Sequence, residues 1–237
     1  MEVRHASPGW FGPDSTANLL LMWLITAGPT REYLDSVRFL SNGSSGTMGY
    51  AIAREAAQRG HPVCLLSGPV ALPCPSGVER IQVESAEEML AAGQGLLSAR
   101  DCEVLLGVAA VSDSRPRHRI EGKPAKGDMP DHIELVPNPD VLASLTAMGR
   151  ARVVVGFALE SMLEDQGGFA GALERARAKL QRKGLHAIVL NALDAMEQAE
   201  ARCWWVEPGS ESRDLGSGDK AELAVGIVDR LEMSLRA

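Results

Sequence analysis

The apolar residues of this chain fall into short unbroken runs, separated by stretches with helical spacing. Leu19 to Gly28 (LLLMWLITAG) carries no polar alternation and ends in glycine, the pattern of a buried strand closed by a turn. Over Ser44–Arg59 the residues Met48, Ala51, Ile52 and Ala56 share one face and Gly60 stops the segment, which predicts a helix. Pro62–Ser67 (PVCLLS) is a second apolar run. Strand, helix and strand in this order form a βαβ unit and call for a parallel sheet. The alternation continues. Val83 ends a strand ahead of a helix over Ala86–Ala99, with Ser85 as its N-cap. Cys102–Val111, Val153–Ala158 and His186–Leu190 read as further buried strands. Ala172–Arg182 reads as a helix whose basic C-terminal half complements the macrodipole. Trp204–Val206 adds a short strand, and Lys220–Leu235 is a closing helix.

The expected fold is therefore α/β: a Rossmann-like doubly wound, mostly parallel sheet with helices on both faces and a flap insertion. The flap is Ser114–Pro139 (114–139), where Pro116, Pro124, Pro130, Pro137 and Pro139 alternate with basic residues. An irregular stretch this long inside a compact domain is either a functional loop or a solvated connection. Pro208–Gly218 is rich in glycine and serine and reads as a hairpin or loop. Residues 1–18, broken by Pro8, Gly9, Gly12 and Pro13, read as a flexible tail, which leaves 19–237 as a single domain. No internal repeat is visible.

Composition narrows the function. A formal charge of -7 disfavours non-specific nucleic-acid binding, and an aromatic content of 4% leaves too few rings for a base-stacking platform. No apolar run reaches the roughly 18 residues of a membrane span. Leu19–Ile25 lacks the basic flank and cleavage site of a signal peptide. Cys64, Cys74, Cys102 and Cys203 show no metal-ligand or disulfide-framework spacing, so reduced thiols and a cytoplasmic location are expected.

In an open parallel sheet the chemistry gathers at the carboxyl ends of the strands. Here the first strand is followed by Thr26-Ala27-Gly28-Pro29-Thr30-Arg31-Glu32. Asp35, Arg38 and Phe39 then lead into Ser41-Asn42-Gly43-Ser44-Ser45-Gly46 and the helix. Small residues with open N–H groups at a helix start suit an anion, although a plain capping turn looks the same. The pattern is neither GxGxxG nor GxxxxGKS, which argues against dinucleotide and P-loop sites. On the residues alone, Asn42 reads as a cap or Asx-turn residue and Phe157 equally as a core aromatic. Lys179 and Lys183 share one helix face, which is either solvated or opposite an anion.

Taken together, TAGPTREYLDSVRFLSNGSSGTMGYAIA resembles the N-terminal signature of the phosphopantothenoylcysteine synthetase (phosphopantothenate–cysteine ligase) family. This is the synthetase domain of the bacterial bifunctional coenzyme A biosynthesis flavoprotein. Further likenesses follow in order: Ala109-Ala110-Val111-Ser112-Asp113, Asn138-Pro139-Asp140, Val155-Gly156-Phe157-Ala158, Lys179 to Gly184 followed by Asn191 with His186 at an aspartate position, and Lys220. The resemblance runs over roughly residues 22 to 236.

The resemblance implies a ligase that activates 4'-phosphopantothenate as an acyl-nucleotidyl intermediate, with CTP rather than ATP as co-substrate and Mg2+ as the divalent ion. Cysteine then attacks to give the amide. It implies Asn42 and Lys123 as catalytic residues, with Arg38, Asn42 and Asn138 toward the substrate. Gly28, Ser44, Ser45 and Gly46 would hold phosphates. Gly107, Ala109, Ala110, Asp113, Gly156, Phe157, Ala158, Lys179 and Lys183 would complete the nucleotide site, with Asp113 also toward the metal. A homodimer is implied, with the flap of one subunit approaching the other's site. In bacteria this domain usually follows a flavin decarboxylase, so the expectation is a stand-alone synthetase with a separate decarboxylase, starting at Met1 or Met22.

Departures from the family pattern centre on the flap. Where the family carries a lysine-rich run, this chain reads Arg119-Ile120-Glu121-Gly122-Lys123-Pro124-Ala125-Lys126, so Glu121 and Gly122 stand at lysine positions. Gly43 and Thr47 replace basic residues, and Pro29 replaces a glycine. These changes motivate the alternative of a nucleotide-binding relative with lost or redirected activity. An NAD(P)-dependent reductase or dehydratase is the third reading, disfavoured by the missing GxGxxG.

Overall fold

The computed structural model describes residues 21–192 and 201–236. β1 (Met22–Ala27) leads through a small hairpin, β2 (Glu32–Tyr33) and β3 (Phe39–Leu40), to α1 (Thr47–Gln58). β4 (Val63–Ser67), β5 (Val78–Gln82), α2 (Ala86–Ala99) and β6 (Cys102–Gly107) follow. A second hairpin, β7 (Ser114–Pro116) and β8 (Leu135–Pro137), lies inside the expected flap. After it come α3 (Val141–Thr146), β9 (Ala151–Glu160), α4 (Gly168–Lys183) and β10 (Ala187–Ala192). β11 (Ala201–Val206), β12 (Arg213–Gly218) and α5 (Lys220–Arg236) close the order.

Eight of these strands form one sheet in the order β12-β11-β10-β9-β6-β1-β4-β5. The pairs from β5 through to β10 are parallel, and β11 and β12 are antiparallel additions. The strand order reverses between β1 and β6, which is the switch point where such sheets leave a crevice beyond their carboxyl ends. The doubly wound, mostly parallel expectation holds.

β1 is buried on both faces, so alternate residues feed separate cores. Trp23, Ile25 and Ala27 pack with α1 and α5, including Ile52, Leu223 and Ile227. Met22 and Leu24 pack with the α2, α3 and α4 side through Met89, Leu145 and Leu180. Ser85 caps α2 as read from the sequence, its Oγ accepting from the Glu88 N–H at 3.1 Å. Arg59 pairs with Glu55 of α1 and pins the end of that helix to α5 through Asp229 and Glu232.

Several boundaries differ from the expectations. The helix expected from Ser44 begins at Thr47, because Gly46 sits in the left-handed region at φ 75° and cannot continue a helix backward. The strand expected to run to Val111 ends at Gly107, because the Thr26 hydroxyl takes up the Val108 and Ala109 N–H groups and diverts the chain. The strand expected to end at Val83 ends at Gln82. Pro208–Gly218 holds the strand β12, whose exposed residues give no apolar signal. The helix α3 and the hairpin strands β2, β3, β7 and β8 carry too few residues for a periodicity to show. The expected tail 1–18, with Leu19 and Leu20, lies outside the described residues.

Candidate functional site

Beyond the sheet, the segment after β1 and the segment after β6 remain stitched together. The Ala110 N–H donates to the Gly28 carbonyl at 2.9 Å, and the Thr30 N–H donates to the Ala110 carbonyl at 3.3 Å. Buried Thr30 accepts the Ser112 N–H on its Oγ1 at 3.0 Å, and its carbonyl accepts from the Ser41 hydroxyl at 2.7 Å. Asn42 spans the same junction. Its Nδ2 donates to the Ala110 carbonyl at 2.7 Å, and its Oδ1 accepts the Ser44 N–H at 3.1 Å. Asn42 is thus an Asx-turn residue and also an exposed amide fixed at the switch point. Nδ2 carries two hydrogens, so one donor remains for a ligand.

Gly28 and Gly46 form the floor of this turn. A β-carbon on Gly46 would lie 3.0 Å from Val70 Cγ1 and 3.3 Å from Gly28 Cα, and its left-handed backbone favours glycine in any case. α2 and α3 have side-chain caps from Ser85 and Asp140, whereas α1 has none. Only long contacts of 3.4 Å serve its start, from Gly46 N–H to Ser44 Oγ and from Thr47 N–H to Ser45 Oγ. The orphan N–H groups of α1 are therefore open to an acceptor from outside.

A cavity of about 210 Å³ lies on the other side of the post-β6 segment. Gly107, Ala109, Val111, Ser112 and Asp113 form one wall, with Thr26 at the end of β1 and Phe157 on β9. Asn138, Pro139, Asp140 and the first turn of α3 form the opposite wall, and Lys183 reaches in from α4. The extended segment alternates: Ala109 and Val111 line the cavity, while Ala110 bonds to Asn42. Lys183 Nζ lies 2.9 Å from Asp140 Oδ2, and Asp140 Oδ1 caps α3 by accepting the Ala143 N–H at 3.1 Å. Asn138 holds the flap base, its Nδ2 donating to the Ser112 carbonyl at 2.8 Å and its Oδ1 accepting from Arg115 at 3.3 Å.

The remaining candidates are held apart from both features. Gly156 pairs with Gly107 across the sheet, and Leu142 lies over both, 2.7 Å from where a Gly107 β-carbon would sit. Ala158 is buried in the core. Lys179 donates to Glu160 at 2.6 Å beside Arg175, also at 2.6 Å. Burial works to raise the Glu160 pKa, and the hydrogen bonds from Lys179 and Arg175 outweigh it, leaving a net lowering. Arg38 is clamped by buried Asp35, which also accepts the Val37 and Arg38 N–H groups. The Arg38 backbone N–H is the largest of the effects that lower the Asp35 pKa.

The flap base rests on the β2–β3 turn, through Ile120 N–H to the Leu34 carbonyl and Ser36 N–H to the Gly122 carbonyl. Arg119 stacks 4.8 Å over Tyr33, and Lys123 is exposed immediately beyond. Gly122 has φ 69°, so the loop shape at an expected lysine position is one that only glycine adopts freely. Among the described residues no group of three or more His, Cys, Asp or Glu converges as a metal cage. Two exposed carboxylates line the cavity, Asp140 paired with Lys183 and Asp113 with no ion pair among the described residues, and Asp113 suits an ion whose other ligands come from a substrate.

The family described as DNA/pantothenate metabolism flavoprotein C-terminal domain matches residues 21–235. The chain belongs to this family. The coenzyme A biosynthesis bifunctional protein CoaBC of Mycolicibacterium smegmatis is 40% identical over 225 residues, covering 90% of this chain and 53% of that protein. The chain thus spans about half the length of the curated relatives it matches. The crystal structure of the C-terminal domain of a CoaBC protein has a TM-score of 0.74 at 36% identity, covering 91% of this chain and 98% of the other. A Cab2 variant solved in complex with phosphopantothenate-cysteine shares the fold at 18% identity and a TM-score of 0.73, covering 92% and 87% of the two chains.

Within this flavoprotein C-terminal domain family member, the structure brings the sequence candidates together as two groups. Gly28, Asn42, Ser44, Ser45, Gly46 and Ala110 form the turn. Gly107, Ala109, Asp113, Asn138, Phe157 and Lys183 line the cavity. Sequence reasoning missed Thr26 and Thr30 as the hydroxyls that hold the segment between them, and Leu142 and Leu145 as cavity walls. Asp140 followed by Val141-Leu142-Ala143 was the available signal for a capped helix start.

Proposed function

We propose that this chain joins 4'-phosphopantothenate and L-cysteine through an acyl-nucleotidyl intermediate, as a ligase of coenzyme A biosynthesis. The observation that carries this is the shared segment 107–113. It presents a cavity on one side and the Asn42 turn on the other, in a chain of this family. The nucleotide base and ribose occupy the cavity against Phe157, Gly107 and Ala109, and the triphosphate runs to the uncapped start of α1 at Ser44–Gly46. The resemblance to the bacterial family, and not the cavity, favours CTP over ATP as the co-substrate.

The substrate carboxylate oxygen attacks the α-phosphorus, and the bond to pyrophosphate breaks. The cysteine amine then attacks the acyl carbon, the nucleoside monophosphate leaves with the bonding pair, and the amine proton is lost. Asn42 directs an N–H to the acyl oxygen as it gains charge, held in place by Ala110. Asp113 would hold Mg2+ together with phosphate oxygens, and the ion when bound supplies charge neutralisation. Lys123 supplies the positive charge that Glu121 and Gly122 do not. Arg38 and Asn138 fix the substrate side, and Lys179 stands near the nucleotide only if Glu160 releases it.

The protein acts as a homodimer, with the β2–β3 and β7–β8 hairpins forming the contact. Val37, Phe39, Ile133 and Leu135 on and beside them are exposed by 54%, 39%, 37% and 49%, apolar side chains that such a contact would cover. Light scattering would read the dimer, and a monomer at micromolar concentration would sink that part.

The ligase is tested by pyrophosphate release with CTP or ATP, Mg2+, phosphopantothenate and cysteine. Release is expected to depend on phosphopantothenate and to be faster with CTP. Asn42→Ala is expected to cut turnover by about a hundredfold or more while nucleotide binding persists. Unchanged turnover would falsify the assignment. Lys123→Ala is expected to slow turnover if Lys123 replaces the missing flap lysine, and unaltered kinetics would sink that role. The second reading is a nucleotide-binding relative without ligase activity, which the altered flap favours. Nucleotide binding with no release from the native chain supports that relative.

A further inference from the structure

A second concavity of about 380 Å³ lies on the α1–α5 side of the sheet, behind the turn at Gly46. Its walls are the Thr47, Tyr50, Ala51 and Arg54 stripe of α1, which runs from the edge of the core to solvent, the segment that follows β4, and the start of α5. The body is apolar, from Ala51, Leu72 and Pro73, and its size suits a small organic molecule. Its charged rim is unusual for this acidic chain. Arg54 and Lys220 both face it, and among the described residues neither is engaged by a hydrogen bond or an ion pair. One turn further along α1, Arg59 is paired with three carboxylates. Arg80 stands just behind, donating to Tyr50 Oη at 3.3 Å and to the Leu72 carbonyl at 3.0 Å, so a third cation braces the wall. The opposing carboxylate is Asp219, whose Oδ1 already accepts the Ala221 and Glu222 N–H groups at 2.8 and 2.9 Å.

We propose that this concavity is a binding site for a phosphate monoester carried on a small apolar body. Arg54 and Lys220 clamp the dianion, the Thr47 hydroxyl offers a further polar contact, and Ala51, Leu72 and Pro73 cover the apolar part. Two unpaired cations above an apolar floor select both features together, because a bare anion leaves the floor wet and a neutral ring leaves the cations unmatched. This site adjoins the turn at Ser44–Gly46, with Thr47 Oγ1 2.8 Å from Ser45 Oγ, but it faces the other way and does not depend on the ligase reading.

The probe is phenyl phosphate, titrated into the full chain and followed by amide NMR, with inorganic phosphate and phenol as comparisons. Saturable shifts are expected at Ala51, Arg54, Leu72 and Ala221, with phenyl phosphate the tightest of the three. Arg54→Gln and Lys220→Gln are each expected to weaken binding by about tenfold, while Arg54→Lys keeps most of it. Thermal melts of each variant check that the fold is retained. Equal affinity for inorganic phosphate, unchanged binding by the two glutamine variants, or shifts confined to Ser44–Gly46 and Asp113 would each overturn the proposal. The last result would place the probe in the ligase site and leave that reading intact.

Discussion

Lys179 and Lys183 lie one turn apart on α4, yet each faces its own carboxylate: Glu160 at 2.6 Å and Asp140 at 2.9 Å. Two like charges on one face are tolerated because strand β9 and the start of α3 supply separate counterions. Glu160 has the larger task. It is 8% exposed and holds Arg175 as well, which in turn donates to the Ser161 and Gln166 carbonyls and ties down the loop before α4. Glu160→Ala is expected to cost about 1–2 kcal/mol, between an exposed and a buried pair, since both cations are partly solvated. Urea denaturation reads this loss, and a change near zero would mean the cluster is only a surface ornament of charge. Asp140 shows how one residue serves two elements, capping α3 and fixing Lys183 at the cavity.

Among the elements, the starts of α1 and α2 differ, and the proposed nucleotide site makes use of the difference. Ser85 closes α2 with its own oxygen, whereas α1 starts at Gly46 with no side-chain cap. Stability favours the first arrangement, and anion binding needs the second. Ser85→Ala is therefore expected to lower stability by about 1 kcal/mol and leave nucleotide affinity alone. Gly46→Ala adds a β-carbon 3.0 Å from Val70 at a left-handed position. It is expected to cost about 1–3 kcal/mol and also weaken CTP binding markedly, because the turn must open. Denaturation and calorimetric titration of both variants check the contrast; equal effects on affinity would remove the distinction. The flap is an element in the same sense. Its base is fixed to the β2–β3 turn by two backbone bonds, so Lys123 starts from a defined place although its side chain is exposed.

For the molecule as a whole, stability should decline toward acid. Asp35, Glu160, Asp214 and Glu232 all have pKa values below the ordinary carboxylate range, set by hydrogen bonds and cations that outweigh burial. A depressed native pKa means the unfolded chain binds protons first. The contribution is therefore complete above the ordinary carboxylate pKa and disappears as pH falls through the lowered values. The melting temperature is expected to be flat near neutrality and to fall below about pH 4, less steeply for Glu160→Gln. A fall beginning near pH 6 would point to histidine instead. At this scale the chain's own residues determined the long buried strands, the two-sided burial of β1 and the capped start of α2, because long apolar runs and a cap with its partner three residues on are local signals. They also determined which residue types gather after each strand. Only the tertiary structure decided that Ala110 faces Asn42 while Ala109 faces the cavity, that Leu142 covers Gly107 and Gly156, and that Glu160 holds Lys179. Those outcomes depend on strand register and on helices packed from distant parts of the chain, and no periodicity within a short window records them.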